Sequence, residues 1–269
     1  MDARVEGLGS GSIQEINALP RGMAEACYLH LVPPALIEQL RIDPLTLCGP
    51  GQQPLVRITA PEDKPWARVE VRGAPEDRDP VLLVDVEMSP LSLPELAFVQ
   101  IADPAGPRYA IDRHPDGHDT LYGTRSRNVA EELRAMKDGL APGQVRRGLR
   151  MLGSVLEAME GFCSLIGKQI YLIEPLFYHS AILYERRGCG YVMGREIMEE
   201  IHAGFALGGS LAERLDGSSL FREPGAARTG RGRSWALHDG ISGQPWGGVK
   251  MYKAAGRQAG VSTFPGGIY

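Results

Sequence analysis

The chain has 269 residues, 29 basic against 33 acidic side chains, and a formal charge of −4. With an isoelectric point near 5.9, it lacks the basic excess of a polyanion binder, so nucleic acid is not an expected partner. Hydrophobic residues at 43% and charged residues at 23% exclude a disordered chain or a coiled coil. No apolar run approaches the ~20 residues of a bilayer span, so no membrane partner is expected.

The length fits one large domain or two small ones. Glycine (34) and proline (20) together far exceed their usual share of ~12%, which predicts many turns and irregular loops. Cys27, Cys48, Cys163 and Cys189 form no CxxC pair. The first residues lack a basic stretch followed by an apolar core, so no secretory signal is expected. The expected compartment is the reducing cytoplasm, with the cysteines as free thiols.

Residues 1–19 contain Gly7-Leu8-Gly9-Ser10-Gly11-Ser12 and read as a flexible leader. A helix is predicted from Pro34 to Arg41. Leu55–Thr59 and Trp66–Arg72 alternate apolar and polar residues, as half-buried strands do. Val81–Glu87 is more apolar and β-branched, as in a central strand. Leu96–Ala102 and Arg108–Arg113 flank Asp103-Pro104-Ala105-Gly106-Pro107 and are expected to form a hairpin.

The second half has a helical rhythm. Val129, Leu133, Met136 and Leu140 lie on one predicted face. Leu149, Leu152, Leu156, Met159, Cys163 and Ile166 mark a longer amphipathic helix, closed by Gly167. Ile170–Ile173 reads as a strand, Leu176–Arg187 as a helix closed by Gly188, Tyr191–Met193 as a strand, and Ile197–Phe205 as a helical face. Residues 216–269 show little periodicity. The expected architecture is α/β, a central mixed sheet flanked by helices. The predicted division is a domain over 20–215, with an insertion near 114–143, and an irregular C-terminal extension over 216–269. A helix between two strands of one sheet normally makes a right-handed parallel crossover, and residues 149–173 supply its helix and second strand.

Arg146-Arg147-Gly148-Leu149-Arg150 stands at the mouth of the long helix. Unpaired amides and the positive dipole end gather there, glycine lets a ligand approach the main chain, and arginines suit phosphate oxygens. Such a start can cradle a pyrophosphate. Asp112-Arg113-His114-Pro115-Asp116-Gly117-His118-Asp119 concentrates histidines and carboxylates. His-x3-His binds zinc when a helix aligns it, but Pro115 and Asp116-Gly117 make this a turn, so a solvated loop is expected and no metal is assigned; a weaker alternative is a metal-assisted hydrolase built on His114, His118 and Asp112. Arg222, Arg228, Arg231 and Arg233, among glycines, read as a mobile surface loop. Cys189 has His179 as its only nearby candidate activator. Trp235, Trp246, Tyr252 and Phe264 make the tail apolar enough to dock, and a homodimer contact is expected of it.

Gly148, Gly167, the strand 170–173 and then Leu183-Tyr184-Glu185-Arg186-Arg187-Gly188 together resemble the GNAT superfamily of acyl-CoA-dependent N-acyltransferases. That family joins an arginine- or glutamine-led glycine loop, a helix ending at glycine, a strand, and a helix carrying a Leu-Tyr-Glu-Lys/Arg-x-Gly pattern. The resemblance covers roughly residues 140–193. It implies that Arg146, Arg147, Gly148, Leu149, Arg150, Leu152 and Gly153 bind acetyl-CoA or another acyl-CoA. It implies that Tyr184 protonates the departing sulfur when a small-molecule or peptide amine attacks the thioester. A strand amide near Ala110 or Ile111 would meet the oxyanion. Glu87, Asp112 and Glu174 stay open as the general base. The sequence departs from the family at Val145 (usually Gln or Arg), Arg150 (Gly or Ala), Phe177 (often Asn) and Cys189 (usually Phe). Val145, Arg150 and Phe177 support an alternative, a non-catalytic binding or assembly module that keeps the fold and has lost the acyl-CoA site.

Overall fold

The computed structural model describes residues 11–269. Helix α1 is Ile13–Asn17. Ser12 caps it by accepting the Glu15 amide at 3.2 Å, and the Glu15 carboxylate accepts the Ser12 amide at 2.8 Å. With Ile13 and Ile16 fully buried, the leader expected through residue 19 is replaced by helix from Ile13. Its first ten residues lie outside the described residues. Helices α2 (Arg21–Leu29) and α3 (Pro34–Leu40) follow, then a two-stranded ribbon of β1 (Cys48–Gly49) and β2 (Gln53–Pro54).

Strands β3 (Val56–Thr59), β4 (Trp66–Val71), β5 (Leu82–Met88) and β6 (Pro94–Ile101) form an antiparallel meander. Alternation decides its faces. Ala67, Val69 and Val71 are fully buried. Arg68, on the opposite face, donates through Nε and Nη2 to the two carboxylate oxygens of its register partner Asp85, each at 2.7 Å. The chain continues through α4 (Val129–Lys137), α5 (Leu152–Leu165), β7 (Ile170–Ile173), α6 (Tyr178–Arg186), β8 (Gly190–Met193), α7 (Arg195–Gly204), α8 (Gly230–His238) and β9 (Lys250–Ala254). The seven longer-range strands form one mixed sheet in the order β3-β4-β5-β6-β7-β9-β8. The α/β expectation therefore holds. Among the described residues no helix is long and apolar enough to cross a membrane.

Residues 108–113 are not a strand, so the hairpin expected there does not form. Tyr109 and Ile111 alternate as strand residues would, but they are buried in a small cluster with Ala135, Leu140 and Val145. The Ala110 amide is taken by Glu131 Oε2 at 2.9 Å. The strand preceding α5 in the sheet is instead β6, which pairs in parallel with β7.

The contacts divide the described chain into two compact units. The first comprises residues up to Ala105, Gly148–Glu174 and Tyr252–Arg257. Here α5 buries Val155, Leu156, Met159, Phe162 and Cys163, as its spacing predicts. Phe162 stacks on Tyr28 with centroids 5.7 Å apart. On the outer side of α5, Glu160 accepts the Gly256 amide at 2.8 Å. The second unit comprises Gly106–Arg147, Pro175–Met251 and Gln258–Tyr269. In it α4 is rotated from the predicted face. Val129 is 47% exposed, while Glu132 and Ala135 are buried. The arginine-rich stretch expected as a mobile loop is a pair of 3-10 turns, Leu220–Arg222 and Pro224–Arg228, followed by the start of α8, where the Thr229 hydroxyl accepts the Gly232 amide at 2.9 Å. Arg233 is buried over the Phe264 ring at 3.8 Å. Trp235 is buried and donates to the Leu140 carbonyl at 2.8 Å. Trp246 donates to the Pro175 carbonyl at 2.8 Å. The apolar surface on which the expectation of a dimer contact rests is thus largely consumed within the chain.

Candidate functional site

In the first unit, β6 and β7 pair in parallel only through Glu95–Leu172 and Leu96–Ile173. The register against β5 slips between Asp85, opposite Phe98, and Val86, opposite Leu96, which leaves Ala97 as a bulge. Strand β6 runs on to Ile101, but β7 ends at Ile173. The parallel ladder therefore stops where the bulge begins, and the two strands are not paired beyond it.

Gly148 re-enters this unit at the far end of β6. A Cβ there would stand 3.3 Å from the Ile101 carbonyl oxygen. This close approach gives the glycine a structural reason. It also sets up the strand, loop and helix order that a long excursion through residues 106–147 hides in the sequence. The helix itself begins three residues later than its apolar spacing suggests. Arg150 is left-handed, with φ +60°, so Leu149 stands outside α5. Met151 is the N-cap and supplies no side-chain acceptor. The first intrahelical bond runs from the Val155 amide to the Met151 carbonyl at 3.0 Å. Leu152, Gly153 and Ser154 thus carry the amide donors of an uncapped first turn, half-buried at the positive end of the helix dipole.

The predicted arginines are placed differently from one another. Arg146 donates to the Gly106 carbonyl, and Arg147, exposed, donates to the Asp138 carbonyl at 3.2 Å. Both belong to the second unit. Arg150 is exposed in the first. Val145, at the family's Gln or Arg position, is buried in the small cluster of the second unit, and its carbonyl accepts the Tyr109 amide at 2.9 Å. The amides proposed for the oxyanion fare no better. Ala110 is bonded to Glu131, and Ile111 is fully buried off the sheet. Asp112, one of three candidate bases, accepts from Nη2 and Nη1 of Arg108 at 2.7 and 3.0 Å.

Tyr184 lies buried on α6. Burial, with a smaller contribution from Cys189, pushes its phenol well above the usual range, so it carries its proton at neutral pH. Phe177 is the buried N-cap of α6. Its ring stacks on His179 with centroids 5.7 Å apart and meets His238 edge-on at 5.6 Å. His179 does not serve Cys189. Its Nδ1 lies 3.0 Å from the Ser234 hydroxyl. Cys189 is a buried thiol outside any disulfide, as are Cys27 and Cys163.

The second unit also holds a cavity of about 440 Å³, walled by the loop Gly123–Arg127, by Tyr178, and by His238 and Trp246. On its wall His238 Nε2 lies 2.9 Å from Glu132 Oε1. Arg127 Nε donates to Glu132 Oε2 at 2.8 Å, and Arg127 Nη1 reaches Asp239 at 3.1 Å. An imidazole held by a buried carboxylate is an acid–base group with a fixed orientation. Sequence reasoning does not reach this pair. Its members are far apart in the chain, and the only hint is a glutamate on the side of α4 that periodicity assigns to solvent. Comparison with protein-family models, curated proteins and solved structures finds no match for the chain.

Proposed function

We propose that this protein is an acyl-CoA-dependent N-acyltransferase of GNAT type, transferring an acyl group, most simply acetyl, to an amine. The observation that carries the proposal is the arrangement around Gly148. A strand that runs on past the end of its parallel neighbour, beyond a bulge, is followed in space by a glycine loop and by an uncapped helix start. Amides at such a start suit a pyrophosphate. Leu152, Gly153 and Ser154 would supply the amides, and Arg150 a nearby exposed cation. Tyr184, protonated at neutral pH, would give its proton to the leaving thiolate. The free thiols support a reducing, cytoplasmic setting. Calorimetric titration with acetyl-CoA and with CoA tests the reading. Heats that saturate below millimolar ligand and weaken in S154P, which removes a first-turn amide, are expected. No heat at millimolar ligand overturns it.

A second reading has its own support. Arg146 and Arg147 spend donors on main-chain carbonyls, and Val145 faces a core. A fold that keeps the strand and helix but has tied Arg146 and Arg147 to main-chain carbonyls would serve as a binding or assembly module. Absence of binding by any acyl-CoA in the same titration selects it.

A further inference from the structure

Independently of that reading, the loop 113–119 has a geometry that its sequence conceals. Gly117, with φ +93°, reverses the chain, so that the Gly117 amide reaches the His114 carbonyl at 2.8 Å and the His114 amide reaches the His118 carbonyl at 3.0 Å. Arg113 and Asp119 bridge below the turn. A short two-chain turn places alternate residues on one side, and here it does the work that a helix does for His-x3-His elsewhere. The two imidazoles stack with centroids 4.4 Å apart and planes 21° apart. Their Nδ1 atoms converge on a single oxygen, Asp116 Oδ1, at 3.0 Å for His114 and 2.5 Å for His118.

The same oxygen also accepts the His118 amide at 3.2 Å. His114 Nδ1 is shut off from solvent and is not aligned for a hydrogen bond with it. His118 Nε2 faces the Ser126 hydroxyl at 3.1 Å. One cation at the centre satisfies all three atoms, which lie within 4.8 Å of one another. Zinc takes imidazole nitrogen at ~2.0–2.1 Å and carboxylate oxygen at ~2.0–2.2 Å, so a small outward turn of the rings admits it. We propose that His114 Nδ1, His118 Nδ1 and Asp116 Oδ1 form a three-ligand site for a divalent transition cation of zinc type, with Ser126 orienting His118. Two nitrogens and one oxygen favour such an ion over calcium or magnesium, which take oxygen. Asp112, grouped with the two histidines in the sequence, is excluded as a ligand by its two-point bond to Arg108. Ser126 also walls the cavity of this unit, so the ion would tie the 113–119 turn to the cavity's loop.

Zinc and cobalt(II) titrations of the EDTA-treated full-length chain test this. One equivalent of Zn²⁺ should bind in calorimetry, and Co²⁺ should give visible ligand-field absorption without sulfur-to-metal charge transfer. D116A and H118A should each lose at least an order of magnitude in affinity, and S126A on the order of tenfold. H30A, at an exposed histidine elsewhere, should bind as the parent does. The turn is exposed, and far-UV circular dichroism should be unchanged in all variants. No binding at about 100 µM Zn²⁺ overturns the proposal. So does undiminished binding in the H114A/H118A double variant, or a charge-transfer band that assigns the ion to cysteine.

Discussion

His238 and Glu132, 106 positions apart in the chain, meet at 2.9 Å with the carboxylate fully enclosed. Nothing about either residue's neighbours in sequence announces the pair, yet it organises one side of the second unit. Glu132 also receives Arg127, which continues to Asp239, which in turn receives Arg222 at 2.8 Å. Gly123 covers the pair closely. A Cβ there would stand 3.0 Å from Glu132 Oε1 and 3.3 Å from the imidazole. Burial tends to raise the Glu132 carboxyl, but the hydrogen bonds from His238 and Arg127 outweigh it and hold the group below the usual carboxylate range.

Removing one member of such a cluster leaves the others buried without their counter-charge. E132A should therefore cost about 3–5 kcal/mol in urea unfolding. The pair of Arg21, 91% exposed, and Glu25 provides the contrast, and R21A should leave the unfolding midpoint close to that of the parent. Equal effects of the two substitutions would show that Glu132 is solvated in solution, contrary to the enclosed geometry.

Gly143 meets Phe177 with no room to spare. It is left-handed at φ +81°, and a Cβ would fall 2.3 Å from the Phe177 ring. G143A thus adds backbone strain to a clash with a buried ring, and a loss of about 2 kcal/mol or more is expected. F177A should relieve the clash but not the strain. In a thermal-melt cycle the double variant should therefore be more stable than the sum of the singles predicts. Strict additivity would mean that the ring already moves aside.

The sheet and α5 were legible because their burial follows one rule each. Alternation sets β4, where Ala67, Val69 and Val71 face inward, and a 3.6-residue stripe sets α5. Residues 108–113 misled for the same reason. Tyr109 and Ile111 alternate, but they serve a satellite cluster and not a sheet. Helix α4 misled because its inward face carries a charge. Hydrophobicity points Val129 inward, whereas the ion cluster turns Glu132 there. Helix α8 has glycine, arginine and serine where a helix is weakly favoured, and it is held by burial of Trp235 and Arg233. The loop at Gly148 was legible as chemistry but not as place, since its contact with Ile101 spans the whole second-unit excursion.

His179 should make stability depend on pH in a window where carboxylates are silent. It is buried against Ser234, and burial, aided by Arg231 and His238, pushes its imidazole down to about 3. The unfolded chain protonates the same group near ~6.5. Above that value His179 is neutral in both states and contributes no slope. As pH falls below it, the unfolded state takes up a proton that the folded state refuses, so stability declines by at most ~1.4 kcal/mol per pH unit. Urea unfolding at pH 7.5, 6 and 5 should show the decline, and H179Q should flatten its share of it. A slope unchanged by H179Q would place the titrating group elsewhere.

Tyr184 separates binding from chemistry in the acyltransfer proposal. Phenylalanine at this position keeps the buried ring and removes only the proton. Under the proposal, Y184F should leave the acetyl-CoA heat unaltered and lower turnover of a competent amine by ~10²–10⁴-fold. The phenol's raised pKa, due first to burial, adds a second signature. An acid with an ordinary phenol pKa would cut the rate near pH 10, whereas Tyr184 should stay protonated beyond it. The parent's rate should therefore show no alkaline fall-off near pH 10 that Y184F abolishes. If Y184F instead turns over like the parent, or loses cofactor heat along with rate, the hydroxyl is not the proton donor, and Tyr184 is only packing for α6.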